Sequence, residues 1–187
     1  MTEPFRLTLS RNHLRNCTIM TECDSESRQI LFVVSTPKGK TRVSTIKRCD
    51  QSTGKAVLVA EWERNAFQQN RLRMAQSAQG DFIPADEILH KTSTLSANRT
   101  FLGVNGVTYL WRSRAASLKL FAEGSDVPVA SFHRRNPFKS QSKSFLEIWP
   151  EAYAILDMLI GLHDFYVAVL FLTISSSIFP DHGEAKA

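Results

Sequence analysis

Cysteine is scarce in this chain: only Cys17, Cys23 and Cys49 occur, and no C-x-x-C pair links them. An odd, unpatterned set of thiols supports neither a disulfide framework nor a structural zinc site. The opening residues, Met1-Thr-Glu-Pro-Phe-Arg6, carry charges and contain no apolar stretch. They lack the h-region of a secretory signal, so the cytosol is the expected compartment. On that expectation Asn16-Cys17-Thr18 and Asn98-Arg99-Thr100 are chance matches to the glycosylation pattern. Nucleophile and metal signatures of the G-x-S-x-G and H-E-x-x-H kind are also missing. His13, His90, His133, His163 and His182 are scattered without ligand spacing, so no metal or cofactor is expected. Lys38-Gly39-Lys40-Thr41 fails as a phosphate loop, because position 34 is valine and a strand pattern follows instead of a helix.

What is present is an ordinary globular composition. The chain has 187 residues, 43% hydrophobic and 22% charged, enough for one sizeable domain with a core of its own. The net charge of +5 conceals an asymmetry: six of the 18 acids but only one of the 23 Lys and Arg residues follow Leu146. A basic body preceding an acidic, apolar segment points to two different jobs. The basic excess is suited to anionic partners, phospholipid headgroups or nucleic acid, and equally to a plain solvated surface. Nucleic acid fits less well, because the cations are spread over several turns while most aromatics fall on predicted inward faces.

Short alternation dominates up to about residue 149. Phe5, Leu7 and Leu9 share one face of a short strand, and Ile30–Thr36 is a β-branched run ended by a Pro37-Lys38-Gly39-Lys40 turn. Extended structure resumes over Thr41–Arg48. Along Lys55–Glu63, Ala56, Leu58, Ala60 and Trp62 oppose Val57, Val59, Glu61 and Glu63. Gln51–Gly54 supplies one hairpin turn, and Asn105-Gly106, the strongest short hairpin signal, supplies another between Thr100–Gly103 and Val107–Arg112. Leu118–Phe121, Val127–His133 and Ser144–Ile148 continue the pattern. Asn65–Gly80 is polar and reads as a long loop, and Ala85–Lys91 as one short helix. Strands at this frequency predict a barrel or sandwich, not βαβ units.

The period changes at Trp149-Pro150-Glu151, with proline and an acid in the positions that open a helix. From Ala152 to Ile174 nearly every residue is apolar, and Asp157, Gly161, Asp164 and Ala168 form one narrow stripe. A helix so apolar must be buried, in protein or in lipid. The uncharged run from Phe165 to Phe179 contains three consecutive serines and is short of the roughly 20 residues of a membrane span. Burial in protein is the expectation, and a closed barrel of strands is an economical place for it.

The succession Lys55-Ala-Val-Leu-Val-Ala-Glu-Trp62-Glu63, Arg99-Thr-Phe101 and Asn105-Gly106-Val-Thr-Tyr-Leu-Trp111-Arg112 resembles the fungal domain of unknown function numbered 6593. Val129-Ala-Ser-Phe132-His133-Arg134, Phe145-Leu-Glu147-Ile148 and Ile155-Leu-Asp157 continue it, so the resemblance runs from about Leu7 to Leu172. That family looks like a member of the tubby-C-terminal-like superfamily, beside the LURP-one-related and phospholipid scramblase proteins. The resemblance implies a closed antiparallel β-barrel of about twelve strands around a central apolar helix at about 150–174. It also implies a single domain over 1–179, with 180–187 a disordered tail. His163-Asp164 inside the helix and Ser175-Ser-Ser177 after it depart from that picture. The family carries no activity over.

The strongest binding candidate is Phe132–Lys143, which holds Arg134, Arg135, Lys139 and Lys143, with no acid between Asp126 and Glu147. Phe138 among these charges could enter an interface while the cations meet phosphates. Tubby-like relatives bind phosphoinositides, so the resemblance points the same way. Lys38, Lys40 and Arg42 form a second basic turn. Glu61 and Glu63 on one strand face, or Asp157 with His163 and Asp164, are the nearest approach to an acid–base group, and solvated or structural roles account for them. The expected protein is a non-enzymatic module, cytoplasmic and peripheral at an anionic membrane. A scramblase-like protein anchored by its helix, a protein-interaction domain without lipid binding, and an enzyme using Asp157, His163 and Glu61 are the alternatives.

Overall fold

The computed structural model describes residues 3–11, 16–21, 29–37, 43–64, 69–75, 80–93, 96–114, 117–133 and 143–160. The first half supplies β1 (Phe5–Leu9), β2 (Cys17–Thr21), β3 (Ile30–Ser35), β4 (Val43–Cys49), β5 (Ala56–Glu63), β6 (Arg71–Met74) and β7 (Ile83–Pro84). One helical turn, α1 (Ala85–Ile88), leads to β8 (His90–Lys91) and β9 (Arg99–Leu102). The second half continues with β10 (Thr108–Arg114), β11 (Ser117–Ala122), β12 (Pro128–His133) and β13 (Phe145–Ile148). The chain then forms a 3₁₀ turn, Pro150–Ile155, followed by helix over 156–160.

All thirteen strands join one antiparallel sheet in the order β7-β6-β5-β4-β3-β2-β1-β13-β12-β11-β10-β9-β8. Apart from the β1–β13 pairing that brings together the two halves, every neighbour in space is a neighbour in sequence. One face is buried. Leu7, Ile19, Phe32, Ile46, Trp62, Leu72, Phe101, Trp111, Leu120 and Leu146 are at most 1% exposed, and together they form a single core cluster. At about 4.8 Å per strand a flat sheet of this size would be roughly 58 Å wide, and among the described residues there is no second layer to cover it. Its inner face is nevertheless buried in one cluster, as a sheet that curls toward itself would bury it. Register shifts in the β2–β3, β4–β5 and β11–β12 ladders supply local bends. At the β4–β5 shift Val59 is the additional residue, which buries both Val59 and Ala60. The regular alternation expected through Ala56 and Leu58 is interrupted there.

The curled sheet is not a closed twelve-stranded barrel. Its ladder stops at β7 on one side and β8 on the other, and no pairing joins these two strands. The reason is local. Each end strand is two residues long, Pro84 has no N–H to donate, and the chain turns directly into α1. The polar stretch expected to be a long loop contains β6, whose Leu72 faces the core while Arg71 and Arg73 face outward. Short β2 also escaped the alternation reading.

The C-terminal helix starts at Pro150 as its residues predict, but its described part is a short segment, not a long helix inside a barrel. It packs at one end of the sheet. Ala152, Ile155, Leu159 and Ile160 enter the core, the Trp149 N–H donates to Val129 (3.0 Å), and Tyr153 meets Phe5 edge-on at 6.2 Å. Gly103, in the β9–β10 turn, permits this packing: a Cβ there would lie 2.7 Å from Tyr109 Cε2 and 3.0 Å from Ile155 Cγ2. Asn105-Gly106 forms the expected turn, with Gly106 at φ +77°. His163, Asp164 and the rest of the predicted helix to 174 lie outside the described residues.

Candidate functional site

In an antiparallel meander successive connections alternate between the two ends of the sheet, and here that parity sorts charge. Connections β1–β2, β3–β4, β5–β6, β8–β9, β10–β11 and β12–β13 all span strand ends on the side where β1 finishes. Their sequences contain Arg11, Arg15, Lys38, Lys40, Arg42 and Arg64, then Arg134, Arg135, Lys139 and Lys143, and no Asp or Glu. At the opposite end, the connections β2–β3, β4–β5, β6–β7 and β11–β12 hold Glu22, Asp24, Glu26, Asp50, Asp81, Glu123 and Asp126 against Arg28 and Lys55. Glu151 and Asp157 of the C-terminal helix add to that acidic side.

Of the cations singled out by sequence, Lys143 is described and is exposed at the foot of the β12–β13 connection. Arg134, Arg135, Lys139, Lys38 and Lys40 lie outside the described residues. The strands that carry their connection are firmly set. Arg6 lies 3.6 Å over the Phe145 ring, His133 stacks on the same ring at 4.4 Å, and His133 Nε2 is 2.8 Å from Glu147. Leu9 donates its N–H to Ser144 at 3.1 Å, tying the end of β1 to the end of that connection. Asn16, at φ 49°, accepts from the Thr36 N–H at 2.8 Å and joins the β1–β2 and β3–β4 connections. Asparagine is among the few non-glycine residues that tolerate this backbone region. Arg64 rests 3.9 Å over Trp62. Arg11, Arg15 and Arg64 were not named from sequence, since their two connections, β1–β2 and β5–β6, are individually unremarkable and only strand pairing sets both on the same side as β12–β13.

The carboxylates are engaged elsewhere. Glu61 accepts from Arg73 through Nε (2.6 Å) and Nη2, and Glu63 lies 3.9 Å from Arg71, each pair directly opposite in the β5–β6 ladder. These are cross-strand ion pairs on the outer face. Asp157 accepts from Arg48 Nη1 at 2.7 Å, at the other end of the sheet. Glu61 and Asp157 thus do not meet. At the β4–β5 turn, hydrogen bonds from the Ser52 hydroxyl and N–H, and from Thr53, pull the Asp50 carboxyl down to about 2. Among the described residues no group of three or more His, Cys, Asp and Glu could hold a metal ion. Among them, too, no helix is long and apolar enough to cross a membrane.

The model of the "Family of unknown function (DUF6593)" matches residues 12–161. The chain belongs to that family. No curated protein and no solved structure matches it. The matched DUF6593 segment runs from the β1–β2 connection to the C-terminal helix, so it contains both ends of the sheet and twelve of its thirteen strands, β2 to β13.

Proposed function

We propose that this DUF6593 chain is a non-enzymatic module that docks on anionic phospholipid, phosphoinositide included, through the basic end of its sheet. The observation that carries the reading is the sorting of charge: ten Lys and Arg residues and no acid in the connections at one end. A Lys or Arg beside an anionic leaflet contributes about 1 kcal/mol, so four or five in simultaneous contact suffice for reversible attachment. Arg134, Arg135, Lys139 and Lys143 form the densest group, with Lys38 and Lys40 in support. Phe138, the aromatic between the charges, enters the headgroup layer. The engagement of Glu61, Glu63 and Asp157 in ion pairs supports the non-enzymatic part of the reading. The protein then works as a peripheral cytoplasmic component rather than one anchored by its helix.

Vesicle flotation tests this. Purified protein floats with vesicles containing phosphatidylserine or phosphoinositide, not with neutral ones, and the floating fraction falls as salt is raised. Reversing Arg134, Arg135, Lys139 and Lys143 to Glu abolishes it. Flotation that ignores salt, or survives the fourfold reversal, overturns the proposal.

A further inference from the structure

We propose that the end of the sheet opposite the basic connections is a docking surface for a partner polypeptide segment that presents an apolar anchor flanked by Lys or Arg. The starting observation is where apolar side chains reach water. Ile30, Val57, Leu102, Val104, Val127 and Tyr153 are the large hydrophobics exposed among the described residues, each by 42% or more. Single exposed apolar residues are ordinary. These six are not scattered, because strand direction and pairing put every one of them at the same end. Ile30 and Val57 open their strands there, Leu102 closes one, Val104 and Val127 stand in turns, and Tyr153 is on the C-terminal helix.

A cavity of about 220 Å³ lies within this end, lined by Arg48, Val104, Tyr153, Leu156, Asp157 and Met158. That volume is below the roughly 300–1,000 Å³ of small-molecule sites and suits one inserted side chain. Its lining is mixed: the Tyr153 ring, the Met158 thioether and the aliphatic Val104 and Leu156 stand beside the Arg48–Asp157 pair, and more of the exposed wall is polar than apolar, so an inserted side chain meets both. Arg48 and Asp157 neutralise each other at 2.7 Å on one side of it. The surroundings are acidic. Glu123, Asp126 and Glu151 are exposed, and Lys55 is the one cation in the described connections at this end.

Charge decides among occupants. An anionic membrane is repelled by this end, and a second copy approaching with the same end sets acid against acid. A second copy approaching with its basic end brings no exposed large hydrophobic among the described residues, and its Arg134–Lys143 segment is the part already committed to the anionic surface in the lipid reading. A different polypeptide, apolar at its centre and basic at its flanks, satisfies both the apolar residues and the acids. The proposal goes beyond the lipid reading and does not depend on it.

The test uses two fluorescein-labelled amphipathic helical peptides of identical leucine pattern, one with lysine and one with glutamate on its polar face, titrated with the full chain. Anisotropy rises with the lysine peptide only. Val104→Glu, an exposed turn substitution, weakens that binding at least tenfold, and Glu151→Lys weakens it severalfold at low salt. Both variants retain the wild-type melting temperature and wild-type vesicle flotation, which separates this surface from the basic end. Equal binding of both peptides, no binding of either, or unchanged affinity in the Val104→Glu variant overturns the proposal.

Discussion

The two ends of this sheet are built from the same strands and differ in almost every other respect. The connections that span one end carry ten Lys and Arg residues in their sequences and no acid. The other end collects acids, the described exposed large hydrophobics, a cavity and the C-terminal helix. Neither composition nor local motif separates them, because basic and acidic turns alternate along the chain. Strand parity does: in a meander, odd and even connections fall on opposite ends, so an alternating pattern in sequence becomes a polarised object in space. A protein polarised in this way has an orientation. With its basic end against an anionic surface it turns its apolar, acidic end away from that surface, where a second partner can reach it.

The comparison can be broken most forcefully at the helix end. Ile155→Ala empties a core position that is 1% exposed and packs against Gly103, and it lowers unfolding stability by about 2–5 kcal/mol in urea melts. The same end contains a weaker tie. Arg48→Met removes the partner of Asp157, yet Arg48 is 52% exposed, so solvent screening holds the cost to about 1 kcal/mol. A loss much above that makes the ion pair a principal anchor of the helix. The basic end behaves in the opposite way: the fourfold reversal of Arg134, Arg135, Lys139 and Lys143 changes stability by no more than about 0.5 kcal/mol, while membrane flotation disappears. Stability and membrane attachment thus reside at opposite ends, and a variant of the basic end that unfolds the protein would end that division.

The smallest effect concerns Asp50. Its folded-state carboxyl is lowered from 3.8 to about 2 by the turn hydrogen bonds, so its contribution is fully present above about pH 4. It is lost as acid titrates the group through pH 2. Asp50→Asn removes that contribution, so the variant is slightly less stable than wild type at pH 7, the difference closes between pH 4 and pH 2, and the acid limb of its stability curve is shallower there.

Much of the architecture was legible in the residues. Alternation located β1, β3, β5 and the strands from β9 to β13, and Asn105-Gly106 located the turn that Gly106 makes at positive φ. Pro150 marked the start of the C-terminal helix. Elements with few inward positions were not legible. Arg71-Leu72-Arg73-Met74 places only Leu72 fully in the core, and its arginines become intelligible as strand residues only opposite Glu61 and Glu63. The bulge at Val59 is equally silent, since it depends on which residue of β4 lies across from it. Openness of the sheet was beyond reach for the same reason: whether β7 and β8 pair depends on how far the curl proceeds before Pro84 and α1 intervene.

The sequence by itself determined the β-rich class, the single core, the basic Arg134–Lys143 segment and the absence of familiar catalytic motifs, because these follow from periodicity and residue chemistry over a few neighbours. Only the tertiary structure decided that turns distant in sequence share an end, that Glu61 and Asp157 are apart, and that the described exposed hydrophobics share one end, with Val104 and Tyr153 lining a cavity there. Strand pairing is a non-local relation, and the local pattern of side chains does not encode which end of a sheet a turn will occupy until every pairing is known.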